Sequence, residues 1–219
     1  MSLVKPRKST RSTLAERELP EAGGRERLIA AALKLAAEKR SLLALGVREL
    51  GRMAGLNPNT FYRHFKSLDE LSVAIIDEFA QDLAPALRAI RLSGVPVELV
   101  SARTVEYVFD YARQHPEAFI VGVRELHGSS GRLQQAIRAR IKLVAAEMSE
   151  DILATNGVPG ITADMLDELA EPIVEQVFHR TLDYLEEPRR RAELVRRTAH
   201  FIDALMTGAV AMKAMNRWD

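Results

Sequence analysis

Val47-Arg48-Glu49-Leu50-Gly51-Arg52-Met53-Ala54-Gly55-Leu56-Asn57-Pro58-Asn59-Thr60-Phe61-Tyr62-Arg63-His64-Phe65-Lys66-Ser67-Leu68-Asp69-Glu70-Leu71 is the stretch that decides the fold. Val47 opens a short helix whose inner face takes Leu50, Met53 and Ala54. Gly55 ends it, because glycine accepts the left-handed backbone that follows a helix C-terminus. Leu56 packs the turn. Asn57 is a good N-cap, and Pro58 stands at the first helical position, where a missing N–H costs nothing. A second short helix then carries Asn59 to Phe65. Ser67, with Glu70 three residues on, forms a capping box for the helix after that.

Two short helices joined by a tight glycine-containing turn make a helix-turn-helix. Leu50, Met53, Ala54, Leu56, Phe61 and Phe65 form its small core, and small residues at Gly51, Ala54 and Gly55 let the helices approach. The second helix is left with Asn59, Thr60, Tyr62, Arg63 and His64 facing outward. These are hydrogen-bonding groups suited to base edges and phosphates. Asn59, Thr60 and Tyr62 are assigned to bases and sugars, because the N-terminal residues of such a helix meet the major groove. Arg63, His64 and Lys66 are assigned to phosphates, which set register and salt-dependent affinity. Arg48 and Ser67 stand at helix starts, where backbone N–H groups help to hold flanking phosphates.

The charge distribution agrees with this reading. The 219 residues sum to a net charge of +1. Up to Lys66 there are 14 Lys and Arg against 6 Asp and Glu, whereas from Ser67 onward there are 17 against 24. A basic head on an acidic body is expected where only the head approaches a polyanion.

Outward from the motif, residues 1–23 are polar and basic and read as a flexible arm ending in Glu21-Ala22-Gly23-Gly24. Leu28, Ala31, Ala32, Leu35 and Ala36 recur at helical spacing, giving a helix to about Arg40. Beyond Leu71 the pattern is helical throughout. Pro116, Gly128 to Gly131, Asn156 to Gly160 and Pro188 divide the remainder, and no segment alternates as a strand does. The expected fold is all-α: a three-helix reading head over 24–68, then a bundle of about six helices over 69–219.

The quoted stretch resembles the N-terminal module of the tetracycline-repressor (TetR) family. The family's pattern is a helix ending in Ala-Gly, a Tyr/Phe-Tyr-x-His-Phe segment, and Lys-x-x-x-x-Leu. Phe61-Tyr62-Arg63-His64-Phe65 and Lys66 to Leu71 fit it, and the likeness extends over some forty-five residues from Arg25. The resemblance implies a homodimer joined through the last two helices, a ligand cavity in the body, and double-stranded DNA as partner. A narrower likeness is to the branch that represses unsaturated fatty-acid synthesis. It rests on Pro116-Glu117-Ala118-Phe119 and Val123-Arg124-Glu125-Leu126-His127-Gly128-Ser129-Ser130, in which Leu126-His127 departs from the branch pattern. That branch implies an effector carried on coenzyme A or acyl carrier protein. The alternative is a regulator of efflux or catabolism that senses another hydrophobic molecule.

Phe109, Phe119, Met148, Ile152 and Phe178 are the candidate cavity residues, weighed against plain core. Arg124 and Glu125 read as a surface pair rather than a buried one. Glu171, Glu175 and His179 share a helix face, but a di-metal bundle needs two Glu-x-x-His pairs and no such pair occurs, so the stripe reads as solvated or dimer-facing. No phosphate loop, nucleophile elbow or zinc-protease motif occurs, and no cofactor or catalytic group is expected. Cysteine is absent, which excludes disulfides and thiolate metal sites. No apolar run is long enough to span a bilayer, and the default location is the cytoplasm.

Overall fold

The computed structural model describes residues 23–39, 42, 45–128 and 131–218. Of the basic arm expected over 1–23, residues 1–22 lie outside the described residues, as do 40, 41, 43 and 44 and 129–130 of the connections. The described residues form nine α-helices and no strand: α1 (Gly24–Lys39), α2 (Val47–Met53), α3 (Pro58–His64), α4 (Leu68–Arg91), α5 (Val97–Gln114), α6 (Pro116–Leu126), α7 (Gly131–Thr155), α8 (Ala163–Glu186) and α9 (Arg191–Ala214). A 3-10 turn, Pro188–Arg190, leads into α9.

Local chemistry explains the helix ends. Asn57 Oδ1 accepts the Asn59 N–H at 2.9 Å, and Pro58 sits in the first turn of α3. Ser67 Oγ accepts the Glu70 N–H at 3.2 Å to start α4. The Glu70 carboxylate reaches back to the N–H of Lys66, at 2.7 Å, one residue before the cap itself. Thr162 holds the cap position of α8 without making the cap bond, and its hydroxyl is buried with no partner among the described residues. Pro85 and Pro172 lie inside α4 and α8, each deleting one ladder N–H.

The core falls into two clusters. One joins Leu28, Leu35, Leu50, Phe61, Phe65 and Leu71 to Val121, Leu126, Ile137 and Ile141, so the apolar underside of α1 to α3 is continuous with α6 and α7. The other lies between α4, α5, α8 and α9, around Leu87, Phe109, Phe119, Leu166, Ile173, Leu194 and Met206. Each such side chain, fully buried, supplies roughly 1.5–3 kcal/mol of transfer free energy. α4 packs on α7, α7 on α8, and α9 on both α5 and α8.

Two sequence expectations change here. Met53 is 42% exposed, so the α2 core consists of Leu50 and Ala54 without it. The inward face of the seven-residue α2 runs through Leu50, Gly51 and Ala54, and Met53 lies to one side of it. Arg124 and Glu125 are not a surface pair. Glu125 is buried and its Oε1 accepts the Leu42 backbone N–H at 2.7 Å, whereas exposed Arg124 donates to Ala37 O at 3.3 Å.

The run Arg189-Arg190-Arg191 also gains a structural role. Arg190 pairs with Glu187 and Glu193, and Arg191 with Asp110 of α5 at 2.9 Å. Arg190 and Arg197 together pull the Glu193 carboxyl down to about 2.

Candidate nucleic-acid interface

α2 and α3 are held against α1 by a device that the sequence did not announce. Arg27, on α1, donates to Ala54 O at 2.6 Å and to Gly55 O at 3.1 Å, satisfying carbonyls at the C-terminus of α2. Gly55 has φ +63, and a Cβ there would stand 2.8 Å from the Arg27 guanidinium. Gly51 packs closely as well, since its Cβ would meet Leu56 O at 3.1 Å and Pro58 Cα at 3.3 Å. Glycine at these positions lets the turn close tightly. Phe61, fully buried, anchors α3 from beneath and contacts Phe65 at 5.8 Å between ring centroids.

With Phe61 and Phe65 turned inward, the rest of α3 faces out. Tyr62 is 64% exposed, its ring edge-on to Phe61 at 5.3 Å. Asn59, Arg63, His64, Lys66 and Ser67 are exposed, and Thr60 is half-buried. The His64 ring lies over the start of α1, where a Cβ on Gly24 would come within 2.8 Å of Nε2. Arg48 is exposed in the first turn of α2. All eight residues singled out in the sequence thus lie on the exposed side of α2, α3 and the α3–α4 junction.

Among the described residues, no ion pair involves Arg48, Arg63 or Lys66. Free cations flanking a helix of polar side chains suit a polyanion whose edges can be read. Arg25 serves the head differently, stacking over Phe65 at 5.5 Å and pairing with Glu78 of α4.

A cavity of about 710 Å³ lies in the body between α4, α5, α7, α8 and α9. Met148, Ile152 and Phe178 line it, together with Leu83, Leu87, Arg91, Val108 and Met206. Phe109 and Phe119 are not on its surface. They are 0% and 1% exposed in the core behind it, Phe109 stacked on Tyr184 at 4.8 Å and Phe119 edge-on to Phe79 at 4.8 Å. Leu83, Leu87 and Arg91 are not among the cavity residues expected from sequence, although they follow one another at four-residue steps along the end of α4. That spacing marks an inward face but does not reveal that the face borders a void.

His179 belongs to no metal cluster: no group of three candidate ligands gathers among the described residues. Its Nδ1 lies 2.8 Å from Glu175 O and its Nε2 3.4 Å from His127 Nε2. No helix among the described residues is long and apolar enough to cross a membrane.

Residues 28–75 match the family model described as bacterial regulatory proteins, tetR family. The fold is shared with solved structures at low identity. The fatty acid degradation regulator FadR from Bacillus halodurans is 16% identical, with a TM-score of 0.71 over 87% of this chain and 98% of its own. FadR from Bacillus subtilis in complex with stearoyl-CoA is 16% identical, with a TM-score of 0.64 over 84% of this chain and 98% of its own. A tetR-family transcriptional regulator from Streptomyces coelicolor is 22% identical, with a TM-score of 0.64 over 89% of both chains. The tetR-family model thus matches the helix-turn-helix and the start of α4, and solved regulators share the fold over most of the chain.

Proposed function

We propose that this chain is a ligand-responsive repressor that binds a pseudo-palindromic operator as a homodimer, with 1–23 as a basic arm, 24–68 as the reading head and 69–219 as the sensing and dimerising body. Arg48, Asn59, Thr60, Tyr62, Arg63, His64, Lys66 and Ser67 contact DNA. The dimer forms through α8 and α9, which sets the two α3 helices about one DNA turn, roughly 34 Å, apart.

One observation carries the reading. A single helix, α4, begins at the Ser67 cap beside α3 and ends at Arg91 in the cavity wall. A ligand that prefers one placement of α4 therefore biases the placement of the heads, and reciprocity requires DNA to alter ligand affinity by the same factor. The effector is a hydrophobic molecule with a long chain, and its class is the thioesters of coenzyme A or acyl carrier protein. Support comes from the mostly apolar cavity wall, with Met148, Ile152 and Phe178 in contact and Phe109 and Phe119 shaping it from behind. The fold likeness to a regulator solved with stearoyl-CoA points the same way.

The test begins with selection of bound fragments from the source genome, followed by operator binding in the presence of acyl thioesters of graded length. Long chains should shift operator affinity and short ones should not. The double variant Tyr62→Ala, Arg63→Ala should lose the operator while sedimenting as the same dimer. Tight specific binding by that variant would overturn the interface. Indifference to every chain length would transfer the effector assignment to another hydrophobic class, as in regulators of efflux or catabolism.

A further inference from the structure

The cavity wall is mostly apolar, and Arg91 is the one basic side chain on it. Arg91, the last residue of α4, lines it with a side chain only 7% exposed. Arg91 Nε donates to Asp151 Oδ2 at 2.8 Å, and Asp151, on α7, is itself 1% exposed. The terminal N–H groups of the Arg91 guanidinium hydrogen-bond no described residue, although arginine carries several donors in a fixed fork. Arg88 approaches the same carboxylate at 3.5 Å, leaving two cations against one anion. The acidic groups on the cavity lie at its exposed rim: Glu98 faces solvent, and Asp203 accepts the Ser101 hydroxyl at 2.7 Å. Leu92, Gly94, Asn156 and Pro159, all exposed, line the cavity with it. A part-used guanidinium thus lines a mostly apolar chamber among residues that reach solvent.

We propose that Arg91 is the head-group anchor of this cavity, and that its effector is amphipathic. The apolar body packs against Met148, Val177 and Phe178, and a carboxyl-derived oxygen is held by the terminal N–H groups of Arg91. This inference rests on the reading of the cavity as the effector site and adds the polar end of the ligand to it. A free carboxylate and a thioester carbonyl share that chemistry. The first is favoured by the local excess of positive charge. The second requires its carrier to lie outside, which the position of Arg91 among residues that reach solvent allows. Asp151, which does not line the cavity, holds the guanidinium through Nε, so the donors are fixed before binding. Because Arg91 ends α4, the contact grips the far end of the helix that starts at the reading head.

The experiment measures displacement of an apolar fluorescent probe from the full-length protein by dodecanoate, dodecanoyl coenzyme A and dodecan-1-ol. The acid, the thioester or both should bind about tenfold tighter than the alcohol, the effect of one hydrogen bond to a charged group. Which of the two leads names the source of the oxygen. In the double variant Arg91→Met, Asp151→Leu, which removes the pair without leaving a buried charge, that preference should vanish while the alcohol binds as before. If that variant does not fold, Arg91→Lys serves instead. Its single ammonium stays with Asp151 and lacks the fork, so the preference should fall there as well. Equal binding of acid, thioester and alcohol to the natural protein overturns this inference and leaves the cavity reading standing. Retention of the preference in the variants does the same. Failure of every ligand to displace the probe overturns both.

Discussion

Glu125 Oε1 accepts the backbone N–H of Leu42 at 2.7 Å, joining α6 to the connection between α1 and α2 across 83 residues of sequence. The carboxylate is 3% exposed. Glu125→Ala leaves a buried N–H unsatisfied and opens a space beneath the head. A loss of about 1–3 kcal/mol is expected in urea unfolding. Operator affinity should fall as well, because the bond holds the chain that leads into α2. An unchanged midpoint would show that this bond is not a structural tie.

Arg63 is exposed on α3 and no ion pair involves it among the described residues. If it meets a phosphate, Arg63→Ala should weaken binding to all duplexes alike. It should also reduce the slope of log affinity against log salt by about 1. Tyr62→Ala should instead act on the choice of sequence. Titrations at several salt concentrations separate the two, and a salt slope unmoved by the loss of Arg63 would remove it from the phosphate contacts.

Gly55 has φ +63 and closes α2 under the Arg27 guanidinium. Gly55→Ala adds left-handed strain of roughly 1–2 kcal/mol and displaces Arg27 from the carbonyls it caps. Thermal unfolding should show the loss. Gly46→Ala, where a Cβ meets nothing within 4 Å, provides the control.

Glu193 has its carboxyl drawn down to about 2, first by the hydrogen bond from Arg190 and then by that from Arg197. A carboxyl depressed in the folded state stabilises it fully above the ordinary value of 4.5 and progressively less as pH falls toward about 2. The stability difference between the natural protein and Glu193→Gln should therefore stay constant from neutral pH down to about 5 and shrink below it. A difference that grows on acidification would contradict the pairing. The side chain is 39% exposed, so the gap should also narrow with added salt.

The reading head was legible because its signals are local. Asn57, Pro58, Gly55, Phe61 and Ser67 each perform the role that their residue type dictates, and the inward or outward facing of α3 follows from its period. The body helices could be placed for the same reason, since Pro116, Asn156-Gly157 and Pro188 break the pattern. Arg27, Glu125 and Arg91 were not legible, because each acts on a residue far along the chain. A buried carboxylate next to an exposed arginine, as at Arg124-Glu125, looks in sequence like a surface pair; only the tertiary arrangement turns one inward. Phe109 and Phe119 illustrate the same limit. Periodicity marks them as interior without telling a filled interior from a hollow one.

The underside of the head shares one apolar cluster with α6 and α7. Cut free of the body, a fragment spanning 23–75 would bare the faces of Leu35, Phe65 and Leu71 that now meet Val121, Leu126 and Ile137, and it would self-associate rather than circulate as a detachable reader. Protease accessibility should follow the same logic, with scissions between head and body scarce until the whole molecule opens. Repositioning of the heads on DNA must then carry part of the bundle along, and recombination that swaps heads between such regulators would succeed only where the seam beneath them is swapped too.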